Sequence, residues 1–226
     1  ENESRDDAKI INLFHKTKHP AQAKPDQIAL TWSGDPQTTQ TIQWRTGPSV
    51  ANGEVQWVKK SDYKRFQPAQ PKRTKATTFK LEDANLMNDP VAHRHTATLT
   101  GLEPDTDYLY SVGDGSDDGW SELAEFTTAP GRTEPFSFVY MGDAQNGLER
   151  WGSLIQRAHR QRPDAAFYIM AGDLVNRGNE RDDWDSFFHN ARGIYDRRPI
   201  VPAIGNHENQ GGHPGMYLQM FDLPKN

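Results

Sequence analysis

Between residues 27 and 130 apolar and polar positions alternate in short runs separated by turn-rich stretches. The runs Ile28–Trp32, Thr39–Arg45, Glu54–Val58, Thr77–Leu81, His95–Leu99, Tyr108–Val112 and Ala124–Thr127 predict seven short strands and a β-sandwich. Residues 60–76 and 82–94 are polar and read as long loops, with the basic run Lys72–Lys75 solvated. Beyond the linker Pro130–Pro135 the pattern changes. Phe136–Met141, Ala166–Ala171 and Ile200–Ile204 read as buried strands. Between them Trp151, Leu154, Ile155 and Ala158, and then Trp184, Phe187, Phe188 and Ala191, follow helical spacing. The strand–helix unit repeats every 33 residues or so, the length of a βαβ crossover, which predicts a parallel sheet. The expected division is an arm over 1–26 lying on the domain surface, a β domain over 27–130, a linker over 131–135 and an α/β domain over 136–226.

Composition narrows the classes. Apolar residues make up 34% of the 226, and 18 glycines add about 8%. The sum is a little below the roughly 45–50% usual for globular chains, which leaves a core alongside long polar loops. A net charge of −5 offers no basic footprint for nucleic acid. No apolar run approaches the ~20 residues of a membrane span. The absence of cysteine excludes disulfide scaffolds, thiol nucleophiles and iron–sulfur sites.

The chemistry gathers where the three α/β strands end. The first runs into Gly142-Asp143-Ala144-Gln145, the second into Gly172-Asp173-Leu174-Val175-Asn176, the third into Gly205-Asn206-His207-Glu208. In a parallel sheet all three turns emerge at the carboxyl edge, where open α/β folds bind ligands. Two carboxylates meeting there would repel unless cations lie between them. Oxygen donors with an imidazole suit Mn, Fe, Zn or Mg. A pair of such ions polarises a phosphoryl oxygen and generates a hydroxide near neutral pH. The remaining histidines, His15, His19, His93, His95, His159 and His189, read as surface or packed residues, with His159 and His189 solvated or against the linker; His213 reads as an unliganded loop residue.

Leu99-Thr-Gly-Leu-Glu-Pro-Asp-Thr-Asp-Tyr-Leu-Tyr resembles the tyrosine corner of fibronectin type III-like domains, with Tyr108 tied back to the preceding backbone. With the ordered triple of turns behind it, the chain resembles the metallophosphoesterases and, within them, the purple acid phosphatases. That resemblance covers residues 27–226 and implies a fibronectin type III-like β-sandwich followed by an α/β metallophosphoesterase domain. It implies that Asp143 binds a first metal, Asp173 bridges two, and Asn206 binds the second through its side-chain oxygen. It places His207 by the substrate phosphate as the catalytic residue and gives Glu208 an orienting role. The cofactors implied are two metal ions, Fe with Zn, Mn or Fe. Asn176 stands where the family has the tyrosine that ligates ferric iron, which removes the basis for an Fe(III) preference but leaves a carbonyl oxygen as a metal donor. Gln145 stands where other metallophosphoesterases have a metal-binding histidine.

The implied activity is acid phosphatase-type hydrolysis of a phosphate monoester in a secreted or periplasmic protein, with no nucleic-acid or membrane partner. Phosphodiester or nucleotide hydrolysis on the same fold, and a catalytically inactive binding module, stand beside it as alternatives. The family takes further histidine ligands from later strands, and the 226 residues hold about half of that ligand set. They read as part of a larger two-sheet domain, so bare apolar faces are expected.

Overall fold

The computed structural model describes residues 14–64, 67, 68, 70–210 and 212–225. Ten strands come first: β1 (Asp26–Thr31), β2 (Thr39–Thr46), β3 (Glu54–Lys59), β4 (Tyr63–Lys64), β5 (Gln67–Pro68), β6 (Lys72–Lys75), β7 (Thr77–Glu82), β8 (Val91–Thr100), β9 (Asp107–Gly113) and β10 (Ala124–Thr127). They form two antiparallel four-stranded sheets, β1-β2-β8-β7 and β10-β9-β3-β6, beside a two-residue ladder of β4 with β5. Alternating inward residues of both sheets, among them Leu30, Trp44, Val55, Leu99, Tyr108 and Phe126, build the sandwich core. The Tyr108 hydroxyl accepts the Glu103 N–H at 2.9 Å, the tie expected of a tyrosine corner.

Two of the loop readings need correction. Lys72–Lys75 is an edge strand on β3 with its lysines exposed, a polar edge of the kind that blunts further pairing. Residues 91–94 begin β8, whose partners on β2 and β7 hold it extended to Val91.

The second half contains β11 (Val139–Met141), α1 (Leu148–Gln161), β12 (Tyr168–Met170), α2 (Arg181–Asn190), β13 (Ile200–Pro202) and α3 (Gly215–Met220). The strands pair in parallel in the order β11-β12-β13, as the βαβ repeat predicts. Both long helices pack through the predicted aromatics, and Trp151 stacks on Phe187 at 4.7 Å between centroids. Leu154 is the exception, 54% exposed. The contact stripe of α1 runs through Trp151, Gly152 and Ile155 and turns Leu154 aside. The opposite face of the parallel sheet is bare, with Phe136, Phe138, Tyr140 and Val201 exposed.

The outer face of sheet β1-β2-β8-β7 is covered by the α/β half, so β2 is buried on both faces. Ala29 and Leu81 join the α/β core. The Leu30 N–H donates to Tyr195 O at 2.8 Å, and the Tyr110 hydroxyl to Asp196 O at 2.6 Å. Buried charges meet at this junction. Arg45 Nη1 lies 2.6 Å from Asp185 Oδ1, which also accepts from Gln27 Nε2. Arg181 Nε approaches Asp185 Oδ2 at 3.6 Å, and its other end pairs with Asp89. Arg94 donates to Met220 O and lies over the Phe188 ring. Burial and the neighbouring Arg45 push Arg94 down to about 9, which leaves it charged at neutral pH.

The histidines divide as surface and packed residues. His189 is exposed and stacks on His19 of the arm at 3.8 Å, and the half-buried His159 has its Nδ1 3.0 Å from the Tyr168 hydroxyl. His95 is fully buried against Trp44, with its two ring nitrogens 2.8 Å from the Thr46 and Thr78 hydroxyls. Burial, then His93 and Arg94, push it down to about 4.

Two outcomes follow. Asp185→Ala strands Arg45 and Arg181 without their shared carboxylate and should cost about 3–5 kcal/mol in denaturant unfolding. His95 binds its proton more readily when unfolded, so its contribution is complete above pH 6.5 and declines as the pH falls toward 4. The loss should reach about 3 kcal/mol and should vanish from the pH profile of His95→Gln.

Candidate metal centre

Each of the parallel strands ends at the same edge in a turn that carries a polar side chain. Asp143 follows β11, Asp173 follows β12, and Asn206 and His207 follow β13. Asp143 and Asp173 both adopt the left-handed backbone region, with φ of 52° and 51°. Non-glycine residues rarely hold this conformation unless their surroundings impose it. Here the Asp143 N–H donates to Gly172 O and the Gln145 N–H to Asp173 O, each at 3.2 Å. The first turn is thereby stitched to the second.

The second turn is joined to the third through Glu208. Its fully buried carboxylate accepts four main-chain N–H groups: Asp173 at 2.9 Å, Leu174 at 2.8 Å, Val175 at 3.1 Å and Gly205 at 2.9 Å. The turns touch so closely that side chains are excluded between them. A Cβ on Gly172 (φ +85°) would lie 3.0 Å from Gly205 Cα, and one on Gly205 would lie 2.0 Å from Asp173 Oδ1. The His207 N–H donates to that same Asp173 oxygen at 3.1 Å.

His207 Nδ1 lies 2.8 Å from the main-chain oxygen of Asn176. A carbonyl can only accept, so Nδ1 carries the hydrogen and Nε2 is the free atom. Gln210 Nε2 donates to the same oxygen at 3.0 Å. Neither Gln210 nor this bond is legible in the sequence, which offers no spacing rule linking residues 34 apart on two loops.

The side chains of Asp143, Asn176 and Asn206 are exposed at the sheet edge, and Asp173 and His207 are half-buried. The donor chemistry fits a hard or borderline cation: two carboxylates, carboxamide oxygens and an imidazole. Gln145 adds a second sign, since its Oε1 is buried and has no hydrogen-bond partner among the described residues. These turns do not themselves gather a compact ligand trio. Among the described residues, the one group of three His, Asp or Glu side chains with ligand atoms within 4.8 Å of one another is His15, Glu180 and Asp182. Gln145 and Asn176 line an open groove of ≈ 670 Å³ together with Lys16, Lys18 and Arg177.

Comparison with known proteins matches this arrangement. Residues 25–128 match the family model of the purple acid phosphatase N-terminal domain, and residues 136–225 that of the calcineurin-like phosphoesterases. An uncharacterized protein of Mycobacterium tuberculosis is 32% identical over 158 residues, covering 61% of this chain and 28% of its own. Probable inactive purple acid phosphatase 1 of Arabidopsis thaliana is 26% identical over 205 residues, covering 80% of this chain and 33% of its own. The chain thus spans about a third of the length of these relatives. The structure of purple acid phosphatase PPD1 from yellow lupin seeds shares the fold, with a TM-score of 0.72 at 22% identity over 92% of this chain and 42% of that one. With the two domain matches in this order and on this fold, the chain belongs to the purple acid phosphatase-like metallophosphoesterases.

Proposed function

We propose that the protein hydrolyses phosphate monoesters at a two-metal centre on the carboxyl edge of β11-β12-β13. The observation that carries this reading is the Glu208 clamp, which holds the Asp173 turn against the Asn206–His207 turn. Asp143, Asp173, Asn206 and Asn176 would hold the ions. When bound, such a pair supplies Lewis-acid polarisation of a phosphoryl oxygen and a nucleophile available near neutral pH.

The chain's own residues supply position and proton control. His207 is oriented by the Asn176 carbonyl, which leaves Nε2 free to give a proton to the leaving oxygen of a bound ester when the ring is charged. The adjoining groove mixes Lys16, Lys18 and Arg177 with Glu149, Glu180, Asp182 and Asp183, and Arg177 is held by the last three. Asn176 in place of a tyrosine supports a centre without a phenolate ligand, and the pairing of Fe with Zn, Mn or Fe is left to the oxygen donors. In this reading the chain divides into an arm over 1–26, of which 1–13 lie outside the described residues, a fibronectin type III-like domain over 27–130, a linker over 131–135 and the catalytic domain from 136. It also places the protein outside the cytoplasm, as a secreted or periplasmic enzyme. No helix among the described residues is long and apolar enough to cross a membrane.

A second reading rests on the exchange of tyrosine for Asn176 and on a relative named probable inactive: a binding module that has kept the fold and lost turnover. The two readings separate in the full-length protein. Asp173→Asn should reduce p-nitrophenyl phosphate hydrolysis by ~10²–10³-fold, a loss of the size seen when a group central to the transition state is removed. Equal turnover in wild type and variant would overturn the hydrolase reading. Glu208→Gln puts an NH2 group against donors that need an acceptor and leaves up to two N–H groups unpaired. It should cost about 2–5 kcal/mol in stability and lower kcat more than it raises KM, measured by denaturant unfolding and steady-state kinetics.

A further inference from the structure

The cluster of His15, Glu180 and Asp182 lies outside the three strand-end turns. His15 belongs to the arm that precedes the sandwich, and its backbone is fixed on both sides: its N–H donates to Asn85 O at 3.1 Å, and its carbonyl accepts the Met87 N–H at 3.0 Å. That pairing drives the ring inward, and the side chain is only 7% exposed. It faces the residues that open α2. Asp182 Oδ1 lies 2.8 Å from Nδ1 and Glu180 Oε2 lies 3.9 Å from Nε2.

These contacts are close, yet they are not hydrogen bonds. His15 Nδ1, His15 Nε2, Glu180 Oε2 and Asp182 Oδ1 are all buried and have no hydrogen-bond partner among the described residues. Buried polar atoms are nearly always satisfied, so these orphans around one imidazole point to a missing partner, which can take one of the two ring nitrogens. Neighbouring groups do not fill that role. Asp83 Oδ2 lies 3.4 Å from His15 Nε2 but already accepts the Arg181 N–H at 3.0 Å. Arg177 meets Asp182 through the other carboxylate oxygen, Oδ2, at 3.0 Å, and its Nη1 contacts Glu180 Oε2 without aligned hydrogen-bond geometry, a contact that an ion would displace.

One imidazole and two carboxylates are the ligand types of zinc-like ions. All three ligand atoms lie within 4.8 Å of one another. Around a tetrahedral cation with bonds of ~2.1 Å the ligand atoms stand about 3.4 Å apart, so the widest pair of the cluster closes on an ion by up to about 1.4 Å of side-chain movement. The 2.8 Å between Nδ1 and Asp182 Oδ1 is shorter than that spacing, and the pair would open slightly to admit the ion.

We propose that His15, Glu180 and Asp182 bind one Zn2+-like divalent cation, which fastens the arm to the start of α2. The ion is structural, and it is separate from the pair assigned to Asp143 and Asp173. Its effect reaches the groove through Arg177, which contacts Glu180 and Asp182 and directly follows Asn176.

The test uses the full-length protein carrying Asp143→Asn and Asp173→Asn, stripped by chelation and titrated with Zn2+. Failure of the hydrolase reading therefore leaves the result untouched. The expected result is about one equivalent of Zn2+ bound and a rise in Tm, both lost when His15→Ala or the near-isosteric Asp182→Asn is added. Because His15→Ala can loosen the arm, the imidazole 15N resonances of the background protein are followed as well, and Zn2+ should shift those of His15. Zn2+ binding unchanged by both added substitutions, or an unmoved His15 ring, would overturn the site and leave His15 as a buried partner of the carboxylates.

Discussion

The carboxylate of Glu208 is the constraint on which the candidate centre rests. Two turns from different strands each present main-chain N–H groups toward the sheet edge with no carbonyl to receive them. One buried carboxylate receives four of them. Each such bond to a charged acceptor contributes about 1.5–3 kcal/mol net, and that gain offsets both the burial of the charge and the left-handed backbone at Asp173. A smaller acid in the third turn would not reach the second. The Gly-Asn-His-Glu order therefore has a mechanical logic: glycine permits contact, asparagine and histidine face outward, and glutamate reaches back to fasten the neighbouring loop.

A second set of buried charges serves a different purpose. Arg45, Arg94, Arg181, Asp89 and Asp185 lie where the sandwich meets the α/β half, and they cross that boundary in both directions. Apolar residues of similar size would stabilise such a junction equally well. Directional pairs do something apolar contacts do not, since Asp185 must meet Arg45 and Gln27 from one side and Arg181 from its own helix. They fix how α2 lies on the sheet. Since α2 follows the Asp173 turn directly, the sandwich sets the position of that turn through the helix, which makes it a buttress for the centre.

Much of the architecture was legible because burial imposes periodicity. The strands of the sandwich interior stand within a few residues of their alternating runs, and Ala124–Thr127 coincides with β10. β6 escaped because an edge strand gains nothing from apolar residues; Lys72–Lys75 carries the lysines that protect an edge and therefore looks like a loop. Leu154 fits the helical period, yet the actual contact runs through a glycine, which no hydrophobic pattern registers. The three strand-end turns could be found because their spacing is local. His15 could not be found this way, since its partners lie more than 160 residues away and the histidine itself sits in a polar stretch.

The centre combines a locked backbone with open side chains. Main-chain bonds tie the first turn to the second, and Glu208 ties the second to the third, while the side chains of Asp143, Asn176 and Asn206 stand exposed at the edge. Such a division suits ion binding. Donors whose backbones are already ordered lose less conformational entropy on capture. The strain at Asp143 and Asp173 falls at the two carboxylates that would gain most from an ion. The fold thus spends its hydrogen bonds on fixing the backbone beneath exposed donor side chains, which is the order of events that capture of the proposed ions would require.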